Sequence, residues 1–87
     1  TLASYRINTT SGVGTVTLPA ISSANAGDEI EFIDAAGNAS ANPITITRTA
    51  PDAVRGGTSY VINTDYGVVR LRSDGLRTWH VTSEVVT

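Results

Sequence analysis

Residues 68–81, VVRLRSDGLRTWHV, contain the strongest fold signal in the chain. Val69 and Leu71 alternate with arginines, as expected of a strand that buries one face and exposes the other. The following Asp74-Gly75 dipeptide favours the positive φ angles of a tight hairpin turn. Beyond the turn, Trp79 returns to the apolar face. The stretch therefore predicts two antiparallel strands joined as a β-hairpin.

The same two-residue period recurs upstream, between turn-forming residues spaced about ten positions apart. Alternating runs occupy residues 2–8, 13–18, 29–34, 44–49 and 59–63. Residues 35–42 are small and include Gly37 and Asn38, which tolerate positive φ, so we expect a hairpin loop there. About seven short strands at this spacing predict an all-β fold, a compact antiparallel β-sandwich or barrel. The predicted core consists of Ile7, Val16, Leu18, Ile30, Phe32, Ile44, Ile46, Ile62, Val69, Leu71, Trp79 and Val81.

Composition supports the same fold class. Thirteen threonines and eight serines make up about a quarter of the 87 residues, whereas Lys, Gln and Met are absent. β-Branched side chains suit a pleated strand better than a helix. The length predicts one domain, residues 1–87. Because the sequence begins with Thr and has no Met, we expect one module of a larger protein, with residues 83–87 as a tail or linker.

Charge and cysteine content exclude several classes of function. Six arginines stand against eight acidic residues, giving a net charge of −2, which disfavours a nucleic-acid-binding module. The absence of Cys removes disulfides and thiolate metal sites. No apolar stretch approaches the roughly 20 residues of a membrane-spanning helix. We therefore expect neither a nucleic acid nor a membrane as partner.

Metal and cofactor sites are not indicated either. The turn-located oxygen donors lack the alternating spacing and distal Glu of an EF-hand loop, and turn chemistry explains each of them. They are Asp28, Asp34, Asn38, Asp52, Asp65 and Asp74. The isolated glycine pairs are not followed by a helix, so no phosphate-binding loop is predicted. We expect no cofactor and no metal.

Two features of the sequence are candidates for a catalytic role, the lone His80 and the pair Glu29 and Glu31. His80 has no nucleophile and orienting acid nearby in sequence, and strand alternation places it opposite Trp79, facing solvent. Glu29 and Glu31 share a strand face with Cβ atoms about 7 Å apart, a separation that overlaps that of glycoside hydrolases. A solvated, charged strand face is the simpler interpretation, with a hydrolase as the alternative.

Aromatic and charged side chains define a candidate surface. Tyr60, Tyr66 and Trp79 could form a sugar-stacking platform, although a core position for Trp79 is the simpler interpretation. The arginines on the strand face before Asp74 should pair with glutamates on a neighbouring strand or a neighbouring subunit. The candidate ligand or interface residues are Tyr60, Tyr66, Arg70, Arg72, Arg77, Glu29 and Glu31.

An ordered series of short motifs resembles small β modules of bacteriophage virion proteins. It comprises YRIN at 5–8, VTLP at 16–19, AGDEI at 26–30, NPITI at 42–46, and LRSDG at 71–75 followed by Trp79. The order is similar to modules in tail fibres, tail appendages, head fibres and capsid-decorating proteins. It spans roughly Tyr5 to Val81, and it matches turn and core patterns rather than a functional site.

The resemblance implies a non-enzymatic structural module on the surface of the virion, assembled as a homotrimer. Its partners would be further copies of itself and other virion proteins. Two alternatives remain open. One is a carbohydrate-binding module that attaches to a host surface glycan through exposed aromatic side chains, and the other is a hydrolase that uses Glu29 and Glu31.

Overall fold

The computed structural model describes residues 2–21 and 26–85, which form eight β-strands in two sheets. The described residues contain no helix, so none that could cross a membrane. The all-β prediction is therefore confirmed. The strands are β1 (Leu2–Ile7), β2 (Gly14–Thr17), β3 (Glu29–Asp34), β4 (Ile44–Thr47), β5 (Ala53–Val54), β6 (Ser59–Ile62), β7 (Val68–Ser73) and β8 (Thr78–Val85).

All seven predicted strands are present, and the structure differs from the prediction in one additional strand and in the end of the last one. The additional strand β5 has only two residues and lies between the predicted strands 44–49 and 59–63. Strand β8 continues through Ser83 to Val85, which we expected in a tail, because these residues pair with β7. Val86 and Thr87, the rest of the expected tail, lie outside the described residues.

The larger sheet has the strand order β1-β3-β7-β8-β5, and the smaller sheet has the order β2-β4-β6. The prediction of a purely antiparallel fold is wrong, because β1 pairs parallel with β3, β2 with β4, and β5 with β8. The predicted hairpin around residues 35–42 is also wrong, since β3 and β4 lie in different sheets. Side-chain alternation identifies the buried face of a strand but not the strand that pairs with it. The sequence therefore could not distinguish parallel from antiparallel pairing, or one sheet from two.

The predicted β7–β8 hairpin is confirmed, with Ser73 opposite Trp79. The Asp74 carboxylate accepts the backbone N–H groups of Leu76 and Thr78 in the connecting loop. Gly75 has a φ of +75°, the left-handed conformation that the Asp-Gly signal required. The carboxylate therefore holds the loop in place.

The core lies between the two sheets. Eight of the twelve predicted core residues are buried, and Ile7, Val16, Ile30 and Val81 pack against them while remaining partly exposed. Ala39 and Val54 complete the buried apolar set, and neither was predicted. Because Ala39 belongs to the loop between β3 and β4, that loop contributes one side chain to the core while the residues around it remain at least partly exposed.

Candidate functional site

The outer face of the larger sheet carries the predicted charged residues. In the β3–β7 register, Glu29 lies opposite Arg72 and Glu31 opposite Arg70. The Arg70 Nη2 atom lies 3.0 Å from Glu31 Oε2, and the Ser4 hydroxyl donates to Glu31 Oε1 at 2.9 Å. The predicted pairing on a neighbouring strand is thus present within one chain for Glu31 and Arg70.

The electrostatics of Glu31 do not suit glycoside hydrolysis. The hydrogen bond from Ser4 and the contact with Arg70 lower the pKa of Glu31 below its ordinary value. A general acid in a glycosidase needs a raised pKa and a free proton-bearing oxygen. Both oxygens of Glu31 are engaged within the protein, so this pair acts as a cross-strand link.

His80 and Asp74 form a second polar contact at the base of the hairpin loop. The His80 ring nitrogen Nε2 lies 3.3 Å from Asp74 Oδ2, and His80 is exposed as predicted. Backbone N–H groups, first that of Leu76, lower the pKa of Asp74 to about 2. Arg77 lies in the same loop and donates its backbone N–H to Asp74. The Asp74 carboxylate is thus occupied with shaping the turn.

The aromatic residues do not form one platform. Trp79 is only 1% exposed and belongs to the core, as predicted. Tyr66 is 65% exposed and covers Gly37, where an added Cβ would lie 2.5 Å from its ring. A sugar-stacking surface that includes Trp79 is therefore excluded by its burial.

Tyr60 belongs to a cluster that links the two sheets. Its hydroxyl donates to Glu84 of β8, and the Arg55 guanidinium lies 5.3 Å from the centre of its ring. Arg55 also forms an ion pair with Glu84 at 3.1 Å. Burial and the Glu84 carboxylate raise the pKa of Tyr60 to about 12. The polar end of Tyr60 is therefore engaged within the chain.

Sequence reasoning did not identify the role of Asp34. Its buried carboxylate accepts backbone N–H groups from Gly37 at 3.2 Å, Ala39 at 3.0 Å and Tyr66 at 2.9 Å. Burial raises the pKa of Asp34, but these hydrogen bonds outweigh burial and leave it below its ordinary value. An aspartate ending an apolar strand before a glycine-containing loop is the sequence signal that pointed to a local turn, though not to the distant Tyr66.

An apolar groove of about 380 Å³ lies between β1 and β2. Its lining includes Tyr5, Ile7, Val16, Pro19, Ile30 and Phe32, with Arg6 and Thr17. The Tyr5 ring stacks on Phe32 with centroids 5.7 Å apart. The described residues that line it include no carboxylate or histidine, and the described chain has no cluster of three metal-ligating side chains. The groove suits an apolar contact rather than acid–base chemistry.

The carboxylates of Glu31, Asp74 and Glu84 are thus bonded within the chain, and comparison with known families agrees with a structural role. A family model described as bacteriophage T4 gp9/10-like protein, N-terminal, matches residues 1–81. The chain belongs to this family. As a gp9/10-like domain it is a module of a bacteriophage virion protein and is located in the virion particle, as the resemblance implied. No curated protein matches the gp9/10-like chain.

Proposed function

We propose that this gp9/10-like domain is a non-enzymatic structural module of a tail fibre or tail appendage that assembles as a homotrimer and joins other virion proteins. The family match over residues 1–81 carries the proposal. The state of the candidate polar groups supports it, because Glu31, Asp74 and Glu84 are each bonded within the chain. Such bonds fix a scaffold and leave little reactivity for a substrate.

No observation favours the two alternatives. Carbohydrate binding loses one of its three aromatic residues because Trp79 is in the core, and the Tyr60 hydroxyl is bonded to Glu84. Hydrolysis by Glu29 and Glu31 would require a raised pKa, whereas that of Glu31 is lowered.

Electron cryo-microscopy of the intact phage tests the location of the module, with an antibody fragment against the 87-residue chain as marker. We expect label on tail fibres or appendages, and label on the capsid shell would contradict the tail assignment. Incubation of the purified chain with host surface polysaccharide should release no sugar. Turnover that the pair of substitutions Glu29→Gln and Glu31→Gln abolishes would overturn the non-enzymatic proposal.

A further inference from the structure

Strand β2 leaves one row of backbone groups free at the edge of the smaller sheet. Gly14 and Leu18 donate their backbone N–H groups towards the β4 side, at 3.1 and 2.8 Å. In a parallel pair the N–H and C=O of one residue point to the same side, and successive residues alternate. The backbone groups of Thr15 and Thr17 therefore point away from β4, and both residues are exposed.

Strand β6 leaves a matching row of unpaired backbone groups at the opposite edge of the smaller sheet. The Arg48 N–H donates to the Thr58 carbonyl at 3.1 Å, which identifies them as a hydrogen-bonded pair in the β4–β6 register. By alternation, the backbone groups of Ser59 and Val61 point away from β4. Both residues are exposed. Each edge therefore presents two N–H donors and two C=O acceptors to solvent.

The two edges of the smaller sheet carry no charge, proline or bulge, which are three of the features that usually prevent strand pairing between molecules. Residues 14–17 and 59–62 contain no charge and no proline, and their registers are unbroken. In the larger sheet, β1 carries the exposed Arg6, β5 has two residues, and β8 has Glu84 and a register shift. Charges, short strands and bulges protect free edges, whereas uncharged regular edges pair readily.

The apolar groove adjoins the β2 edge. Val16 and Thr17 of β2 line it, together with the half-exposed Tyr5 and with Pro19. A molecule that added a strand to β2 would also cover this groove and remove its apolar surface from water. Backbone pairing and apolar burial would thus occur at one contact.

We propose that β2 of one copy pairs antiparallel with β6 of a second copy, so that the smaller sheet runs continuously through the subunits. The inference rests on the proposed homotrimer and assigns its contact surface. Rotation about an axis parallel to the strands leaves the direction of every strand unchanged. Because β4 is parallel to β2 and antiparallel to β6, β2 and β6 run in opposite directions, so β2 of one copy meets β6 of the next in an antiparallel pair. Thr15 then faces Val61 of the neighbouring copy, and Thr17 faces its Ser59. Such a head-to-tail contact closes into a ring when the rotation permits.

Two proline substitutions test the β2 edge and the β6 edge one at a time. Thr15→Pro and Val61→Pro each remove an outward-pointing N–H, which leaves the hydrogen bonds to β4 in place. We expect the parent chain to sediment at three times 9.1 kDa and each variant alone to be monomeric. An equimolar mixture should form a heterodimer, because each variant keeps the edge that the other lacks. Contacts between identical edges would give no such rescue.

The controls address folding and specificity. Far-UV circular dichroism and thermal unfolding establish that each variant is folded. Thr17→Lys and Ser59→Lys form a second pair that blocks the same edges by charge without introducing proline. Leu76→Ser, at an 81% exposed position in the β7–β8 loop, should leave the trimer unchanged.

The possible outcomes distinguish failure of the β2–β6 contact from failure of the homotrimer. A trimer that survives both edge blocks would overturn the β2–β6 contact while leaving the trimeric module intact. A mixture of folded variants that stays monomeric would overturn the contact as well. A parent chain that remains monomeric at its highest soluble concentration would overturn both the contact and the homotrimer.

Discussion

The carboxylate of Asp34 accepts the backbone N–H of Tyr66 at 2.9 Å, across 32 positions of sequence. The same carboxylate accepts the N–H groups of Gly37 and Ala39 from the loop that follows β3. One buried side chain therefore joins the loop that follows β3 to the loop that precedes β7, beyond the point where the pairing of these two strands ends.

Replacement of Asp34 by Ala should lower the free energy of unfolding by about 3 kcal/mol or more, because several backbone donors lose a charged acceptor. The measurement is urea denaturation followed by Trp79 fluorescence. Asp65→Ala is the matched control, since exposed Asp65 accepts one N–H, that of Ser40. That control should cost less than about 1 kcal/mol. A loss no larger than that of Asp65→Ala would contradict the prediction, because the three buried hydrogen bonds of Asp34 would then contribute no more than the one exposed bond of Asp65.

The lowered pKa of Asp34 predicts loss of stability in acid. A carboxyl with a lower pKa in the folded chain binds its proton more readily when unfolded, so the folded state is favoured above the ordinary pKa of 3.8. This contribution is lost as the pH falls through the folded-state pKa. Asp34→Asn should therefore flatten the dependence of unfolding free energy on pH below about 4. The test compares urea midpoints of the two chains across that range, and parallel curves would contradict the assignment.

The close approach of the Tyr66 ring to Gly37 predicts that a side chain at position 37 is not tolerated. Gly37 has a φ of +75°, and an added Cβ would lie 2.5 Å from the Tyr66 ring. Gly56 has a φ of +78° and open space around its Cα, so Gly56→Ala carries only the backbone cost of roughly 1–2 kcal/mol. Gly37→Ala should cost about 1–3 kcal/mol more. In a chain that already carries Tyr66→Ser, Gly37→Ala should lose that excess cost. Thermal unfolding of five chains measures this: the parent, Gly56→Ala, Gly37→Ala, Tyr66→Ser and the variant that combines the last two. An excess that persisted without the ring would refute a clash with Tyr66.

The sequence carried enough information for the strand positions and the core, but not for the pairing of strands. Alternation at Val69 and Leu71, followed by Asp74-Gly75, determines a hairpin locally, and that hairpin is present. By contrast, Ile30 and Ile44 show the same alternation, yet they lie in different sheets. Which sheet a strand joins depends on contacts between segments distant in sequence.

The contacts of the candidate site could likewise be predicted only in part from the sequence. Opposite charges at Glu31 and Arg70 predicted a pair because each lies on an alternating strand face. The role of Asp34 could not be predicted, since its partner Tyr66 becomes a neighbour only after β3 and β7 pair. Periodicity predicts the face of the strand on which a side chain lies, whereas the hydrogen-bond partners of a buried carboxylate such as Asp34 depend on which loops meet around it in the folded chain.

Thr9 offers a substitution that should stabilise the protein. Its side chain is 1% exposed, and its hydroxyl makes no hydrogen bond to the described residues. Burying an unpaired hydroxyl is unfavourable, and Thr9→Val replaces it with a methyl group of similar volume. We expect the free energy of unfolding to rise by about 1 kcal/mol, measured by urea denaturation. Thr9→Ser, which keeps the hydroxyl and removes the methyl group, should instead lower it by about 1 kcal/mol. A Thr9→Val chain less stable than the parent would mean that the hydroxyl has a partner, and the stabilisation argument would then be wrong.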